Sequence, residues 1–239
     1  MQIPTGKFFR ETELPRQKSF NGVLFPAVLS PTTNTNITAF KEAIRAKKPW
    51  LESLLKRSGV ILFRGFPVSS PSDFNDVVEA FGFLEAQYVG GRAPRTKVAP
   101  DFPSKLFFFC EEEPGKGGET PVVLSNIIYE KMKEKKPELV VKLEEHGVKY
   151  TTIAGDEDHP SDIAGRGWKS IYMTDDKQVA EESNLTGPVN GDNKIFDQAT
   201  CVELGNGEVV PNDAMEDCLR FLEEECVAIP WKKGDVYAC

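Results

Sequence analysis

Short apolar runs fenced by glycine, proline or charge constrain this chain most. Val60-Ile61-Leu62-Phe63 lies between Gly59 and Gly65, and Leu106 to Cys110, Thr120 to Leu124, Val227-Ala228-Ile229 and Val236 to Cys239 are similar in length. Runs this short, apolar without a polar face, cannot be helices and read as buried strands. Amphipathic segments with helix punctuation stand between them. Thr38 can cap a helix carrying Phe40 and Ile44, and Pro49 suits the first turn of a second with Trp50, Leu51, Leu54 and Leu55, stopped by Gly59. Ser70-Pro71 opens a helix striped by Phe74, Val77, Val78 and Phe81 and ended by Gly82. Ser125 caps a helix running to about Lys135, and Pro137 opens another with Leu139, Val140 and Leu143 inward and Gly147 at its end. Val148 to Ile153 alternates as a half-exposed strand does, and Met215, Cys218, Leu219 and Leu222 share one helical face. Residues 154–211 are rich in Asp, Gly, Asn, Ser and Pro and carry few apolar clusters. The pattern is α+β, and 239 residues suffice for a single domain over 1–239.

Charge and cysteine usage exclude several classes. Twenty-nine Lys and Arg against 37 Asp and Glu give a net charge of −8, which repels phosphate backbones, so no nucleic-acid partner is expected. No apolar run spans a bilayer, and Met1-Gln2-Ile3-Pro4 opens no signal peptide, so no membrane partner is expected either. The five cysteines (Cys110, Cys201, Cys218, Cys226, Cys239) are odd in number, scattered and without a Cys-x-x-Cys pair. They read as reduced thiols in the cytoplasm.

Candidate chemistry is sparse. Gly115-Lys116-Gly117-Gly118-Glu119-Thr120 lacks the Gly-Lys-Ser/Thr ending of a phosphate loop and reads as a hairpin turn. Asp156-Glu157-Asp158-His159 offers four oxygen and nitrogen donors in a row, but adjacent side chains seldom converge on one ion, so a solvated loop is preferred to a metal site. His146 falls at a helix C-terminus, where the dipole favours imidazolium. There is no Gly-x-Ser-x-Gly elbow and no His-Glu-x-x-His, and nothing pairs a cysteine with either histidine.

Several blocks together carry a resemblance. Ser58-Gly59-Val60-Ile61-Leu62-Phe63-Arg64-Gly65-Phe66 resembles the opening strand of the TauD/TfdA-like oxygenases. Tyr88-Val89-Gly90-Gly91 with Ala93-Pro94-Arg95-Thr96 resembles the plant clavaminate synthase-like branch, as do Phe102-Pro103-Ser104-Lys105-Leu106-Phe107-Phe108 and Gly117-Gly118-Glu119-Thr120-Pro121. Gly165-Arg166-Gly167-Trp168-Lys169-Ser170 and the stretch from Glu223 through Pro230-Trp231-Lys232-Lys233-Gly234-Asp235-Val236 are similar too. The resemblance implies a distorted double-stranded β-helix, or jelly roll, flanked by helices. It also implies an Fe(II)- and 2-oxoglutarate-dependent dioxygenase that oxidises a small-molecule substrate.

Measured against that family, pieces are absent. The iron needs two histidines and a carboxylate on one face, the first two ligands being a His-x-Asp or His-x-Glu pair just before the Phe-Pro-Ser-Lys-Leu strand. Here Lys97-Val98-Ala99-Pro100-Asp101 runs straight into Phe102, His146 precedes Gly147-Val148, and His159 precedes Pro160-Ser161. We therefore expect deletions near 100–101 and 182–208 and a truncation after 239, where the distal histidine and the 2-oxoglutarate arginine would follow. No catalytic or metal residue is assigned. Thr120 alone matches a family residue, the threonine that hydrogen-bonds 2-oxoglutarate, and binding of Fe(II) and 2-oxoglutarate is expected to be weak or absent. The expected jelly roll is incomplete, and its open sheet edges allow self-association. Two further readings stand beside a disarmed enzyme: a non-catalytic regulatory protein pairing with an intact relative, and an unusual metal site from Asp156, Asp158 and His159.

Overall fold

A computed structural model describes residues 8–84, 104–150, 156–158, 167, 169–170, 174–178 and 202–239. In chain order the elements are β1 (Phe9–Glu11), β2 (Lys18–Phe20), β3 (Val23–Phe25), β4 (Ala27–Pro31), α1 (Ile37–Ser58), β5 (Ile61–Phe63), α2 (Pro71–Ala80), β6 (Phe107–Phe109) and β7 (Thr120–Val122). They continue with α3 (Ser125–Lys135), α4 (Pro137–His146), β8 (Val148–Tyr150), β9 (Val202–Leu204), α5 (Asn212–Glu225), β10 (Val227–Ile229) and β11 (Val236–Ala238). The chain divides into two units, one of Met1–Glu85, Ser104–Ile128 and Leu222–Cys239, the other of Ala86–Pro103 and Tyr129–Phe221. Among the described residues no helix is long and apolar enough to cross a membrane.

The first unit is built on a five-stranded sheet in the order β1-β4-β5-β11-β6. Parallel pairing of β4 with β5 requires a crossover, which α1 supplies. Strand alternation then sorts the sheet into two faces. Ala27, Leu29, Ile61, Phe63, Val236 and Ala238 pack under α1 and α2 with Phe40, Ile44, Leu51, Leu54 and Val77. Val28, Leu62 and Tyr237 turn the other way and pack with Val122, Val227 and Ile229. Those last three come from a separate two-stranded sheet in which β7 pairs antiparallel with β10. The layers are therefore helix, sheet, sheet, and β5 is buried on both faces, which is why its sequence is apolar at every position. Among the described residues neither sheet closes into a barrel.

Several expectations need correction. Residues 37–58 form one helix, not two, and its N-cap is Asn36, whose side chain accepts from the Ala39 N–H at 2.9 Å, rather than Thr38. Pro49 sits inside it, lacking an N–H for the helix ladder. The helix continues because Phe40, Ile44, Leu51 and Leu54 form one unbroken buried stripe across the proline. Second, among the described residues β6 is an edge strand rather than a buried one: Phe107 and Phe109 lean on the helix layer while Phe108 is 47% exposed. Third, the turn at Gly115–Gly118 closes with the Gly118 N–H on the Gly115 carbonyl, but it links β6 to β7 in different sheets and so is no hairpin. Ser125 is the first residue of α3 rather than its cap, while the punctuation of α2 and of the end of α1 holds. Ser70 accepts from the Asp73 N–H as the cap of α2, with Pro71 behind it, and Gly59 ends α1 at φ 69°. The left-handed backbone there favours glycine, and a Cβ would have to push aside the Leu124 methyl 2.5 Å away.

One ion pair ties β5 to the turn before β11. Asp235 is 1% exposed, and Arg64 reaches it with Nε at 3.1 and 3.2 Å from the two carboxylate oxygens and Nη2 at 2.6 Å from Oδ2. The same Nη2 donates to the Pro230 carbonyl at 2.5 Å, and the Lys232 N–H donates to Asp235 Oδ2 at 2.9 Å. The buried carboxylate is thus paired and hydrogen-bonded, the condition under which burying charge is tolerable.

The second unit, so far as it is described, holds the rest of α3, then α4, β8, β9 and most of α5. β8 and β9 pair antiparallel, Val148 opposite Leu204. Met132, Val140, Leu204, Val210, Ala214 and Phe221 are buried. Lys131 and Arg220 lie over the Phe221 ring, and Lys136 pairs with Asp213 and Asp217. Leu219, expected on the inner face of α5, is 56% exposed, because the buried stripe runs through Ala214 and Phe221 instead.

Two measurements test this packing. Pro49→Ala restores a helix donor and is expected to stabilise the protein by about 1–3 kcal/mol in denaturant unfolding. Arg64→Ala strands a buried carboxylate and is expected to cost about 3–5 kcal/mol by the same measurement, with Arg64→Lys recovering only part because it cannot make the fork.

Candidate cofactor-binding site

Thr120 opens β7 directly opposite Ile229 of β10. Alternation puts Thr120 and Val122 on one face of their strand, and Val227, Ile229 and then Trp231 on the matching face of the other. Val122, Val227 and Ile229 are buried between the two sheets, with Trp231 and Leu124 packed partly buried against them. Trp231 Nε1 donates to Thr120 Oγ1 at 2.6 Å. The Trp231 ring meets Tyr237 edge-on at 6.1 Å between centroids. Tyr237 is itself buried, and that burial, with Cys239 nearby, pushes its phenol far above the usual range, so it stays neutral. An open depression of about 430 Å³ is walled by Val60, Val122, Leu124, Tyr237 and Cys239.

The described residues assemble no iron centre. Among the described residues no three His, Cys, Asp or Glu side chains come together as a metal site would require. His146 is the exposed last residue of α4, with Glu145 3.9 Å away. Acids of the 156–158 loop are used locally: Asp158 Oδ1 accepts from the Gly167 N–H at 2.8 Å, and Glu157 pairs with Lys169. Instead of converging on an ion, they hold the Gly167 segment. His159, the Lys97–Asp101 junction and Cys201 lie outside the described residues.

Cys110, Cys218, Cys226 and Cys239 are free thiols. Burial first, then the charges of Asp235 and Glu113, push the Cys110 thiol up, which disfavours the nucleophilic thiolate. Burial likewise raises Cys218 and Cys239.

Sequence reasoning singled out Thr120 but not the indole that donates to it. The signal was the continued alternation Val227, Ile229, Trp231, which puts the indole on the Thr120 face only once the register of β7 against β10 is known. The Arg64–Asp235 pair was missed for the same reason, since a salt bridge between distant segments leaves no local pattern.

Comparison with known proteins identifies the family. The sequence profile of the taurine catabolism dioxygenase TauD, TfdA family matches in two segments, residues 24–99 and 97–238. The clavaminate synthase-like protein At3g21360 of Arabidopsis thaliana is 42% identical over 296 residues, covering 95% of this chain and 90% of that protein. The dapdiamide synthesis protein DdaC of Enterobacter agglomerans is 20% identical over 260 residues, covering 78% of this chain and 76% of that protein. Among solved structures, the PvcB protein of Pseudomonas aeruginosa aligns with a TM-score of 0.45 at 13% identity, over 97% of this chain and 82% of that one. With the profile spanning nearly the whole sequence and the Arabidopsis protein aligned along 95% of it, this chain belongs to the TauD/TfdA family of dioxygenase-like oxidoreductases, in its plant clavaminate synthase-like branch.

Proposed function

We propose that this chain is a dioxygenase-family scaffold that does not carry out the family's Fe(II)- and 2-oxoglutarate-dependent oxidation. The carrying observation is the histidine inventory. Only two are encoded, and neither begins a His-x-Asp or His-x-Glu pair. One of them, His146, is an exposed helix-end residue in the second unit. Metal affinity follows ligand number and geometry, so a centre deprived of its first two ligands loses most of its grip.

Two features of the comparisons support an internal loss. The profile match breaks into segments that meet at residues 97–99, just before the Pro100–Asp101 junction where the ligand pair is expected. The alignment to the Arabidopsis protein extends over 296 residues, more than the 239 of this chain, so part of that relative lies opposite gaps here.

In the family, bound Fe(II) and 2-oxoglutarate would activate dioxygen, which is the oxidant, and the protein supplies position and environment. Within these 239 residues Thr120 is the one that the resemblance assigns to 2-oxoglutarate, and one neutral hydroxyl contributes about 1 kcal/mol net to holding a carboxylate.

Anaerobic titration of the purified chain with Fe(II), followed by assay of succinate release from 2-oxoglutarate, tests this. Substoichiometric iron, no succinate above the protein-free blank, and no change in His146→Ala or His159→Ala are expected. One tightly held iron per chain with succinate release, lost in His159→Ala, would overturn the proposal and favour the Asp156–His159 loop as the metal site.

A further inference from the structure

We propose that the outer edge of β6 is a self-pairing surface: a second copy of this chain joins it antiparallel along Phe107–Phe109, with Phe108 on the twofold axis. Among the described residues β6 ends the five-stranded sheet, and no strand lies beyond it. The ends of that sheet differ. β1, at the far end, presents Arg10 and Glu11, exposed charges of the kind that discourage strand addition. β6 presents Phe107-Phe108-Phe109, with Phe108 47% exposed and Leu106 43% exposed beside it. An apolar edge of this kind is a template for another strand.

The backbone is set for such pairing. The Leu106 N–H donates to the Cys239 carbonyl at 2.8 Å, and the Cys239 N–H returns to the Leu106 carbonyl at 3.0 Å, so Leu106 faces β11. Cys110 faces it too, donating to the Asp235 carbonyl and accepting from the Gly234 N–H. Phe108, opposite Tyr237, lies between them and by alternation faces the same way. The N–H and C=O groups of Phe107 and Phe109 therefore point outward. In an antiparallel pair centred on Phe108, Phe107 of one copy lies opposite Phe109 of the other, and their outward donors and acceptors exchange directly. The Phe108 rings meet across the axis at a non-hydrogen-bonded position, where side chains approach closest. Each ring is already braced by Tyr237, 5.5 Å away between centroids, so pairing costs it little further freedom.

Charge complementarity selects a second copy as the occupant. With Phe108 on the axis, Lys105 of one copy stands opposite Glu111 of the other, and the symmetry repeats that pair at the other end. Ser104, whose hydroxyl can donate, stands opposite Glu112. Glu111 and Glu112 are exposed, and the Lys105 ammonium rests over the Phe83 ring at 4.4 Å, held by no carboxylate of its own edge. Moving the axis to Phe107 would set Lys105 against Phe109, and moving it to Phe109 would set Phe107 against Glu111, so the charges specify one register. The net charge of −8 on each copy opposes approach, but at physiological ionic strength charges farther apart than about 8 Å are largely screened, and the directly opposed pairs prevail. Because the segment complements itself, pairing uses the β6 edge of both copies and closes at a dimer.

Sedimentation velocity of the purified full chain, run as a dilution series at physiological salt, tests this. A monomer–dimer equilibrium without larger species is expected. Lys105→Glu and Glu111→Lys each set like charges opposite one another at both ends of the pair, and each is expected to weaken dimerisation about tenfold. Mixed in equal amounts, these variants regain opposite charges at both ends, so a heterodimer as strong as the unmodified dimer is expected, a result that general loss of structure would not give. Phe108→Lys, which sets like charges on the axis, should leave only monomer. The substituted side chains lie at the surface edge, and far-ultraviolet circular dichroism is expected to match the unmodified chain. A chain that stays monomeric throughout the dilution series overturns the proposal. So does a dimer indifferent to these substitutions, a mixture of the charge variants that forms no heterodimer, or assembly that grows past the dimer with concentration.

Discussion

The first unit depends on a three-residue strand being covered from both sides. β5 contributes Ile61 and Phe63 to the helix face and Leu62 to the opposite face, all essentially inaccessible to water. Burying each such side chain is worth about 1.5–3 kcal/mol, so neither covering layer is dispensable. Parallel pairing with β4 calls for α1 as the crossover, and α1 in turn brings the aromatic cluster of Phe9, Phe40, Phe63 and Phe66 together, Phe40 stacking on Phe66 at 4.0 Å. The opposite face calls for the β7–β10 ladder. That ladder is what sets Thr120 beside Trp231, so the site follows from the demand to cover Leu62.

The buried charge pair adds direction to this non-directional burial. Apolar contacts alone would allow the β10–β11 connection several placements over the sheet. Arg64 begins where β5 ends, and its fork accepts only a planar carboxylate, so Asp235 has one place to go. The Gly234 N–H on the Cys110 carbonyl, and the Cys110 N–H on the Asp235 carbonyl, then tie the same turn to the end of β6. Register across β5, β11 and β6 is thereby pinned at one end by polar groups and along its length by alternation.

What could be read from the sequence was whatever is decided locally. Ser70-Pro71, Gly59 and Pro137 mark helix ends through their own backbone preferences, and β5 announces itself because both its neighbours are apolar. Pro49 misled because its local preference, a helix start, was overruled by a buried stripe that extends across it. The Phe107–Phe109 run misled because apolar character does not distinguish a central strand from an edge strand with one ring exposed. Gly115–Gly118 was rightly a turn, but which sheet each flank joins depends on pairing with β10 and β11, far along the chain. The site shows the same division. Thr120 and the lack of a His-x-Asp or His-x-Glu pair are legible from residue identity alone, whereas the indole partner of Thr120 emerges only from strand register.

That division also separates what holds this fold together from any metal chemistry. In a small metal-built domain the ligands are the core, and removing them unfolds the chain. In the first unit the core is the alternating apolar residues of two sheets and two helices, and neither histidine belongs to that unit. Packing of this kind does not depend on metal ligands. Trp231 shows how one side chain joins apolar cover to a polar tie: its ring lies against the inter-sheet face while its indole N–H donates to Thr120, so the β7–β10 ladder is fixed by both at once.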